Sequence, residues 1–492
     1  MQHAGKHLSY CRSKAARRHT SLLLINIDGG FQEGCVVRII TVFIIFTLVF
    51  ACAGVVADAS PTEADTLSHE DFTAYSTCNR CHAITTSQWE GSMHYHAFDD
   101  PFYQEELNLA SKESNGSLDV FCTRCHIPVG VVSGQVPPID NPNISEEADE
   151  GVGCDFCHSV KESSEIGNGG YVVAPSETKY GPFDDSESAF HESQYSEFYT
   201  KSEYCGMCHQ ITHPTSGVVL DDTYQAWSES SYAEEKVQCQ DCHMTPGITE
   251  FETNPGRAGS GAPKRDHISV HNFAGANVFV TGILGEDDHK EMAIERLQEA
   301  ATLEVSIPEN AQPGEEVAIE VSITNSGAGH NLPTGLTEAR QMWTQVDVKD
   351  SQGREIYSSG NLDEDGNIEN GIIYWAVYSD ADGNSTLKLW EITDVIYDNR
   401  IAPTSTATEI HNFTIPTDAT NPIIVDTKLL YRSAPQSLID ELFGGEYDVP
   451  IVEMESFKGG INGEVGSEGT PGFGSVVGLI ALLTIYLFRR KM

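Results

Sequence analysis

Basic residues are scarce in this chain of 492 residues. Lys and Arg total 29 against 73 Asp and Glu, and the formal net charge is −44. Nine of the basic residues lie near the two ends, within 1–58 and 489–491, which leaves 20 basic and 70 acidic residues between them. A surface of this charge repels nucleic acid and anionic lipid headgroups, so we expect no nucleic-acid partner. Such a surface suits a salty medium, where counterions screen its self-repulsion. It also suits multivalent cations or basic partners, and the alternative is that it serves solubility alone.

Cysteines outside one repeated pattern are also nearly absent. Of the 13 cysteines, Cys11, Cys35 and Cys52 alone stand outside it, and all three lie in the N-terminal region. If that region is removed on export, no cysteine is left for a disulfide. All cysteines of the exported chain would then belong to the repeated pattern.

The pattern is Cys-x-x-Cys-His, the attachment site of a c-type haem, and it occurs five times. The two thiols bond to the haem vinyl groups and the adjacent imidazole binds the iron. A zinc knuckle or a redox disulfide is the alternative for one copy, but neither requires a histidine after all five pairs. We predict five covalent c-type haems, attached through Cys78 and Cys81, Cys122 and Cys125, Cys154 and Cys157, Cys205 and Cys208, and Cys239 and Cys242. The predicted proximal iron ligands are His82, His126, His158, His209 and His243.

The N-terminus reads as a signal region over residues 1–59. An apolar run at 37–51 follows Arg38, and Ala57-Asp58-Ala59 is a small-x-small cleavage site. The stretch before it is long for a signal, and one explanation is a mis-set start codon, with synthesis beginning near Val36 or Val37. A retained membrane anchor and a lipoprotein attachment at Cys52 are alternatives. Export agrees with haem attachment, which takes place outside the cytoplasm.

Two domains are expected in the mature chain. Residues 60–300 hold all five motifs and are predicted to form a pentahaem cytochrome c domain of short helices and loops, because the haems must supply much of the buried apolar surface. The segment 285–300 is predicted to be a helix. Residues 301–435 alternate apolar and polar residues between turn signals, which predicts an all-β, immunoglobulin-like sandwich. Residues 436–470 are acidic and Gly-rich and are expected to be a stalk.

The C-terminus, residues 471–492, resembles the PGF-CTERM sorting signal of archaeal surface proteins. Pro471-Gly472-Phe473 precedes an apolar run over 474–488 and a basic tail. In that family an archaeosortase cuts near the motif and a lipid replaces the tail. The resemblance implies an exported protein at the outer face of an archaeal cell membrane. An ordinary transmembrane anchor is the alternative.

Ten further histidines beyond the signal region can supply the second axial position. CGMCH…TYQAWSESSYA…CQDCHM, HNFAGANVF and GHNLPTG…MWTQVDVKD resemble multihaem c-type cytochromes of the c-552/c-554 kind, over about residues 75–435. The resemblance implies that His94, His191, His271 and His330 are distal ligands, which makes most haems bis-histidine, six-coordinate and poor at binding substrates. We expect His213 in the fifth place, with His96, His267 and His69 as competitors. A ligand at His330 would make the sandwich clamp a haem of the neighbouring domain.

Two classes of function follow. The first is a conduit for extracellular electron transfer, whose partners are other redox proteins or cytochromes at the cell surface, with a filament or homo-oligomer as a special case. The second is a multihaem oxidoreductase with one open-site haem, acting on small nitrogen or sulfur compounds. No Cys-x-x-Cys-Lys motif of a pentahaem nitrite reductase is present, and the negative charge would repel anionic substrates. We therefore favour an electron carrier over an enzyme with its own substrate.

Overall fold

The computed structural model of the protein describes residues 67–247 and 251–465. The predicted signal region, its cleavage site, the PGF motif and the two apolar runs at 37–51 and 474–488 lie outside the described residues. Within the two described ranges, no helix has the length and apolar character needed to cross a membrane.

Short helices make up most of the regular structure in the half that carries the motifs. Each motif lies in or next to a helix, because helical backbone puts two cysteines three residues apart on one face. The helices are α1 (Tyr75–Glu90), α2 (Pro101–Ser114), α3 (Asp119–His126), α4 (Pro128–Val132), α5 (Cys154–Ser159), α6 (Ser202–Gly206), α7 (Thr223–Ser228), α8 (Ser231–Glu234), α9 (Cys239–His243), α10 (Val278–Leu284) and α11 (Asp287–Ala300). The helix predicted at 285–300 is α11.

Four small two-stranded ladders connect these helices. They are β1 (Val160–Ser163) with β2 (Tyr171–Val173), β3 (Thr178–Gly181) with β4 (Glu192–Tyr195), β5 (Ile211–Thr212) with β6 (Val219–Asp221), and β7 (Gly256–Arg257) with β8 (Lys264–Arg265). The β3–β4 pair is parallel and the others are antiparallel. These ladders hold the loops that surround the motifs.

The half that begins at Ala301 is rich in β-structure, as its alternating sequence predicts. Its strands are β9 (Ala301–Ser306), β10 (Glu316–Asn325), β11 (Gln341–Lys349), β12 (Glu355–Ser359), β13 (Asn361–Leu362), β14 (Ile368–Glu369), β15 (Ile373–Tyr374), β16 (Ala376–Ser379), β17 (Ser385–Thr386), β18 (Asp394–Asp398), β19 (Thr406–Thr414), β20 (Ile423–Arg432) and β21 (Ile451–Ile461). One antiparallel sheet has the order β19–β10–β9, and the other has the order β12–β11–β20–β21 with β15 also paired to β11. The strands β13 to β18 belong to an insertion between β12 and β19.

Alternation along each strand builds the core between the two sheets. In β10 the apolar side chains Val317, Ile319, Val321 and Ile323 are buried, and Ala318, Glu320 and Ser322 between them face outward. Because successive side chains point to opposite faces of a strand, this pattern buries one apolar face completely. Burial of each such side chain contributes roughly 1.5–3 kcal/mol.

Residues 436–461, which we expected to be part of a stalk, instead form helix α12 (Gln436–Phe443) and strand β21. Strand β21 pairs with β20 along its length and buries Val452, Met454 and Ile461. The acidic and glycine residues that suggested a stalk occupy the positions between these apolar ones. Composition therefore concealed a period-two pattern in this segment.

Two apolar clusters join the two halves. Helix α11 runs directly into β9, and its side chains Ala293, Leu297 and Ala300 join the cluster formed by the sandwich. A second cluster unites Phe102 of α2 with Ile439 of α12. The motif-bearing half is thus packed against the sandwich rather than tethered to it.

Candidate haem-binding sites

The five motifs open into one cavity. It has a volume of about 2210 Å³, and all ten motif cysteines and all five motif histidines line it. The motif cysteines are half-buried and none of them is in a disulfide within the described structure. A single space walled by thiols and imidazoles fits a set of flat, apolar groups attached through those thiols, as c-type haem attachment requires.

Four of the five motif imidazoles have a fixed tautomer. Each donates its Nδ1–H to a backbone carbonyl, which can only accept, so the lone pair is left on Nε2. The pairs are His82 with Ala258 (2.7 Å), His126 with Ala97 (2.7 Å), His158 with Tyr180 (2.7 Å) and His243 with Ala274 (3.2 Å). This is the arrangement in which histidine binds a metal ion through Nε2.

Three of the predicted distal histidines face motif histidines at nearly equal distances. Two imidazoles that bind one metal ion from opposite sides, each nitrogen about 2 Å from it, have ring centres roughly 6 Å apart. The measured ring-centre distances are 6.4 Å for His82 and His191, 6.4 Å for His243 and His330, and 6.1 Å for His94 and His209. The three pairs therefore have the spacing of opposed axial ligands.

The fourth predicted distal residue is His271, whose pKa is lowered by burial and, to a smaller extent, by the imidazole of His158. Its Nδ1–H donates to the carbonyl of Ser269 (3.2 Å). His191 and His330 make the same kind of bond, to the carbonyls of Glu192 (3.0 Å) and Asn331 (3.1 Å). These three imidazoles thus share the tautomer of the motif histidines.

Burial keeps these imidazoles neutral. It lowers the pKa of His94 and His243 to about 3 and the pKa of His126 and His271 to about 4. The pKa of His330 is lowered for the same reason. Because only neutral imidazole has a free lone pair, these side chains are ready to bind a metal ion at neutral pH.

The expected fifth distal ligand, His213, has the opposite tautomer. Its Nδ1 accepts hydrogen bonds from the backbone N–H groups of Ser216 (3.0 Å) and Thr215 (3.3 Å), so the proton resides on Nε2. His267 likewise accepts at Nδ1, from the N–H of Asn254 (3.1 Å). An Nε2 that carries a proton cannot bind iron.

The other non-motif histidines are bonded to polar partners of their own. His96 lies between Asp99 (2.9 Å) and Glu286 (3.5 Å), and His69 contacts Glu147 (3.2 Å). His289 bonds to the backbone carbonyl of Gln88, and His411 bonds to Tyr357 and Glu409. Among the described residues, none of these four is placed opposite a motif histidine.

The Cys122–His126 motif therefore has no histidine opposite it in the described part of the chain. The ring of Tyr103 lies parallel to that of His126, 3.7 Å away between centres. Three carboxyl groups and a guanidinium gather nearby: Asp100, Glu106, Glu338 and Arg340. Burial raises the pKa of Asp100 to about 6 and of Glu338 to about 7, and it raises the pKa of Glu106 well above its ordinary value.

Thiols of different motifs lie beside one another, which gives the neighbour order of the sites. The neighbouring pairs are Cys78 with Cys154, Cys205 with Cys239, and Cys125 with Cys208. Cys157 and Cys208 pack against the same apolar cluster. The first, third, fourth and fifth motifs are thus neighbours in that order, which we call the line, and the second motif adjoins the fourth.

Comparison with known protein families gives two matches. Residues 77–159 match the family described as cytochrome c554 and c-prime, and residues 470–491 match the PGF-CTERM motif. The first match spans the first three haem motifs. Among curated proteins, no sequence matches the chain.

The fold is similar to that of a solved pentahaem cytochrome c552 from Thermochromatium tepidum. The TM-score is 0.58 at 19% sequence identity, over 80% of this chain and 99% of that one. A likeness over 80% of the chain extends beyond residues 67–300 and includes much of the β-rich half. The CARDB domain of a Pyrococcus furiosus protein aligns with 33% of the chain at 11% identity, but its TM-score of 0.15 carries no argument.

Proposed function

We propose that this multihaem c-type cytochrome of the c-552/c-554-like group, which ends in a PGF-CTERM motif, is a conduit for extracellular electron transfer. It is a cytochrome c-like electron carrier with covalently bound c-type haem and a surface-sorting tail. The proposal adds five haems, histidine ligands on both sides of four irons, and an electron acceptor outside the cell.

The neighbour order of four motif sites is the observation that carries the proposal. Thiols of successive sites lie near one another, from Cys78 and Cys154 through Cys157 and Cys205 to Cys239. Haems attached through neighbouring thiols would have their edges close together. When bound, the haems supply the redox centres, and the chain sets their spacing through these contacts.

Ligand pairs support a transfer role at the same four sites. We propose His191, His271, His94 and His330 as the distal ligands opposite His82, His158, His209 and His243, in that order. The support is the ring-centre distance in three pairs and, for His82, His158, His191, His243, His271 and His330, the Nδ1 bonds described above. Two strong-field imidazoles leave no position for substrate. His213 is not among the ligands that we now propose, because of its tautomer.

The position of the chain end supports surface presentation. The His330 loop follows Asn325, at the end of the sandwich where Gln341 pairs with Arg432. The last strand ends at Ile461, which pairs with Ile423 at the opposite end. A ten-residue strand is roughly 30 Å long, so an anchor following Ile461 would hold the haem sites away from the membrane, toward an external redox partner.

We also propose that the sandwich is immunoglobulin-like. The first, second and fifth of its seven long strands form one sheet, and the third, fourth, sixth and seventh form the other. Greek-key sandwiches of this class place their strands in such an order.

A second candidate function is oxidoreductase chemistry at the Cys122–His126 site. Among the described residues, this motif has no opposed histidine, and Glu106 and Glu338 lie near it with raised pKa values. A haem held there by His126 alone would leave room for a small molecule beside carboxyl groups that hold protons, and the reduction of such a molecule consumes protons. The side position of this site, off the line of four, also allows it to draw electrons without interrupting the line.

Spectroscopy and acceptor kinetics on the purified mature protein test both functions. A pyridine haemochrome assay against intact mass should give five haems, and EPR should give four low-spin irons. Stopped-flow mixing of the reduced protein with ferric citrate and with ferric oxide particles should oxidise all haems. Steady turnover of nitrite, hydroxylamine or sulfite that is faster than oxidation of the haems by the ferric acceptors would favour the oxidoreductase. Fewer than five haems would contradict the proposed stoichiometry.

A further inference from the structure

We infer that Arg400 and Asp222 are positioning residues that hold His330 toward the site of the fifth motif, whose histidine is His243. The inference rests on the proposed ligation by His330 and adds how that imidazole is aimed. Arg400 lies at the end of the β-rich insertion, and Asp222 directly precedes α7 in the motif-bearing half.

The loop that carries His330 is tied to Arg400 through the backbone. Leu332 and Ile401 exchange two hydrogen bonds of 2.9 Å each, so the residues that follow His330 and Arg400 are locked side by side. Asn325 also connects the two segments, since its side-chain amide donates to the carbonyls of His330 (2.8 Å) and Ile401 (3.0 Å).

Asp222 connects this assembly to the other half of the molecule. Its two carboxylate oxygens accept one bond each from Arg400, at 2.7 and 2.9 Å. One of them also accepts a bond from the side-chain amide of Asn331 (3.0 Å). The Arg400 side chain is only 4% exposed, and a bidentate, charge-assisted pair in such a place fixes direction as well as distance.

Asn331 is the link between this ion pair and the imidazole. The backbone carbonyl of Asn331 accepts the Nδ1–H of His330 (3.1 Å), and its side chain is held by Asp222. A rotation of Asn331 would therefore turn the ring of His330. A further bond between Thr334 and Thr223 (2.6 Å) fixes the other end of the loop.

Loss of the Arg400 guanidinium would leave Asp222 as a half-buried carboxylate with one remaining partner outside its own turn. Such a group moves toward water or recruits another donor, because a buried charge without a partner is costly. Either movement releases Asn331 and lets His330 leave its aligned position. The expected change lies at one iron and at no other.

Arg400→Gln in the full haem-loaded protein tests the inference. We expect one haem per chain to gain a high-spin signal in EPR and to bind carbon monoxide, and one potential in a redox titration to shift. Arg400→Lys keeps the charge but loses the two-nitrogen contact with Asp222, so it should show a smaller high-spin fraction than Arg400→Gln. Arg354→Gln is the matched control, since Arg354 pairs with Asp418 at 2.8 Å on an exposed surface at the other end of the sandwich.

Purely structural support by Arg400 would lower the melting temperature while leaving the spin state and potentials at room temperature unchanged, and that result would overturn the inference. If Arg400→Gln does not accumulate, Asp222→Asn removes the same ion pair and is read in the same way. His330→Ala distinguishes ligation by His330 from positioning by Arg400 and Asp222. A normal spin state in His330→Ala refutes the ligation itself, whereas conversion in His330→Ala without any in the Arg400 and Asp222 variants refutes the positioning alone.

Discussion

Glu338→Gln should make the protein more stable above neutral pH. Glu338 is 1% exposed, and neither of its carboxylate oxygens has a hydrogen-bond partner within the described structure. Burial raises its pKa from the ordinary value of 4.5 to about 7. Between these two pH values the folded protein binds more protons than the unfolded chain, so the free energy of unfolding falls as pH rises through this window and stays lowered above it.

The size of the effect follows from the same two values. One pKa unit corresponds to about 1.4 kcal/mol, so this carboxyl lowers the free energy of unfolding by up to about 3 kcal/mol once it is ionised. Glutamine has nearly the same shape and no charge at any pH. The variant and the wild type should therefore have similar stability at pH 4, and the variant should exceed the wild type by most of that amount at pH 8.

Urea unfolding of the holoprotein at pH 4, 6 and 8, followed by far-UV circular dichroism, measures this difference. Glu364→Gln, at an exposed position of the same half, is the matched control and should show no pH-dependent gain. A difference between Glu338→Gln and wild type that is equal at all three pH values would refute the reasoning, because it would mean that the carboxyl does not change its charge in this range.

Three further outcomes are expected. In Gly259→Ala the new Cβ would lie 2.9 Å from Cε1 of His82, so one haem should change its EPR g-values, whereas Gly275→Ala, with open space around the added Cβ, should not. Leu297→Ala, at the junction of the two halves, should lower the free energy of unfolding by about 2–5 kcal/mol in chemical denaturation, and a loss under 1 kcal/mol would argue against a shared core. Peptide mapping of membrane-associated protein should find a mature N-terminus near Ser60 and no RRKM tail; recovery of the intact C-terminal peptide would favour an ordinary anchor.

Haem attachment could be predicted from the sequence because its chemistry is local. Two thiols three residues apart and an adjacent imidazole carry the whole signal, and the surrounding fold does not alter it. The distal ligands are different, because His191 and His82 are 109 positions apart and meet only through tertiary structure. Family resemblance gave the candidates, and ring-centre distances favour three of them, His94, His191 and His330. The two backbone N–H groups that bond to Nδ1 of His213 could not be predicted from its place in the sequence.

The acidic residues near the Cys122–His126 site were missed for a related reason. Glu106 lies three residues after Tyr103 on α2, so helical spacing puts both on the face toward the motif, and this signal was available. Glu338 comes from the sandwich, 232 positions later, and no local pattern connects the two. In a chain with 73 acidic residues, composition gives no reason to select these two.

Composition also concealed the last strand. Residues 451–461 read IVEMESFKGGI, and the acidic and glycine residues suggested a stalk. The positions that face the core, among them Val452, Met454 and Ile461, are apolar, and β20 offers a free edge for pairing. An edge strand that closes a sheet tolerates polar residues on its outer face. The decisive information was therefore the existence of β20 as a partner, which lies outside the segment.

Arrangement of the two halves around one cavity explains why a β-sandwich accompanies a chain of haem sites. Two apolar clusters contain side chains of both halves, so the two halves enclose the cavity together. The sandwich in turn contributes His330, Glu338 and Arg340 to the cavity wall. Loss of the sandwich would therefore remove a proposed ligand, His330, from one end of the line and one carboxyl group, that of Glu338, from the side site. Both the proposed conduit and the alternative chemistry depend on the two halves remaining docked.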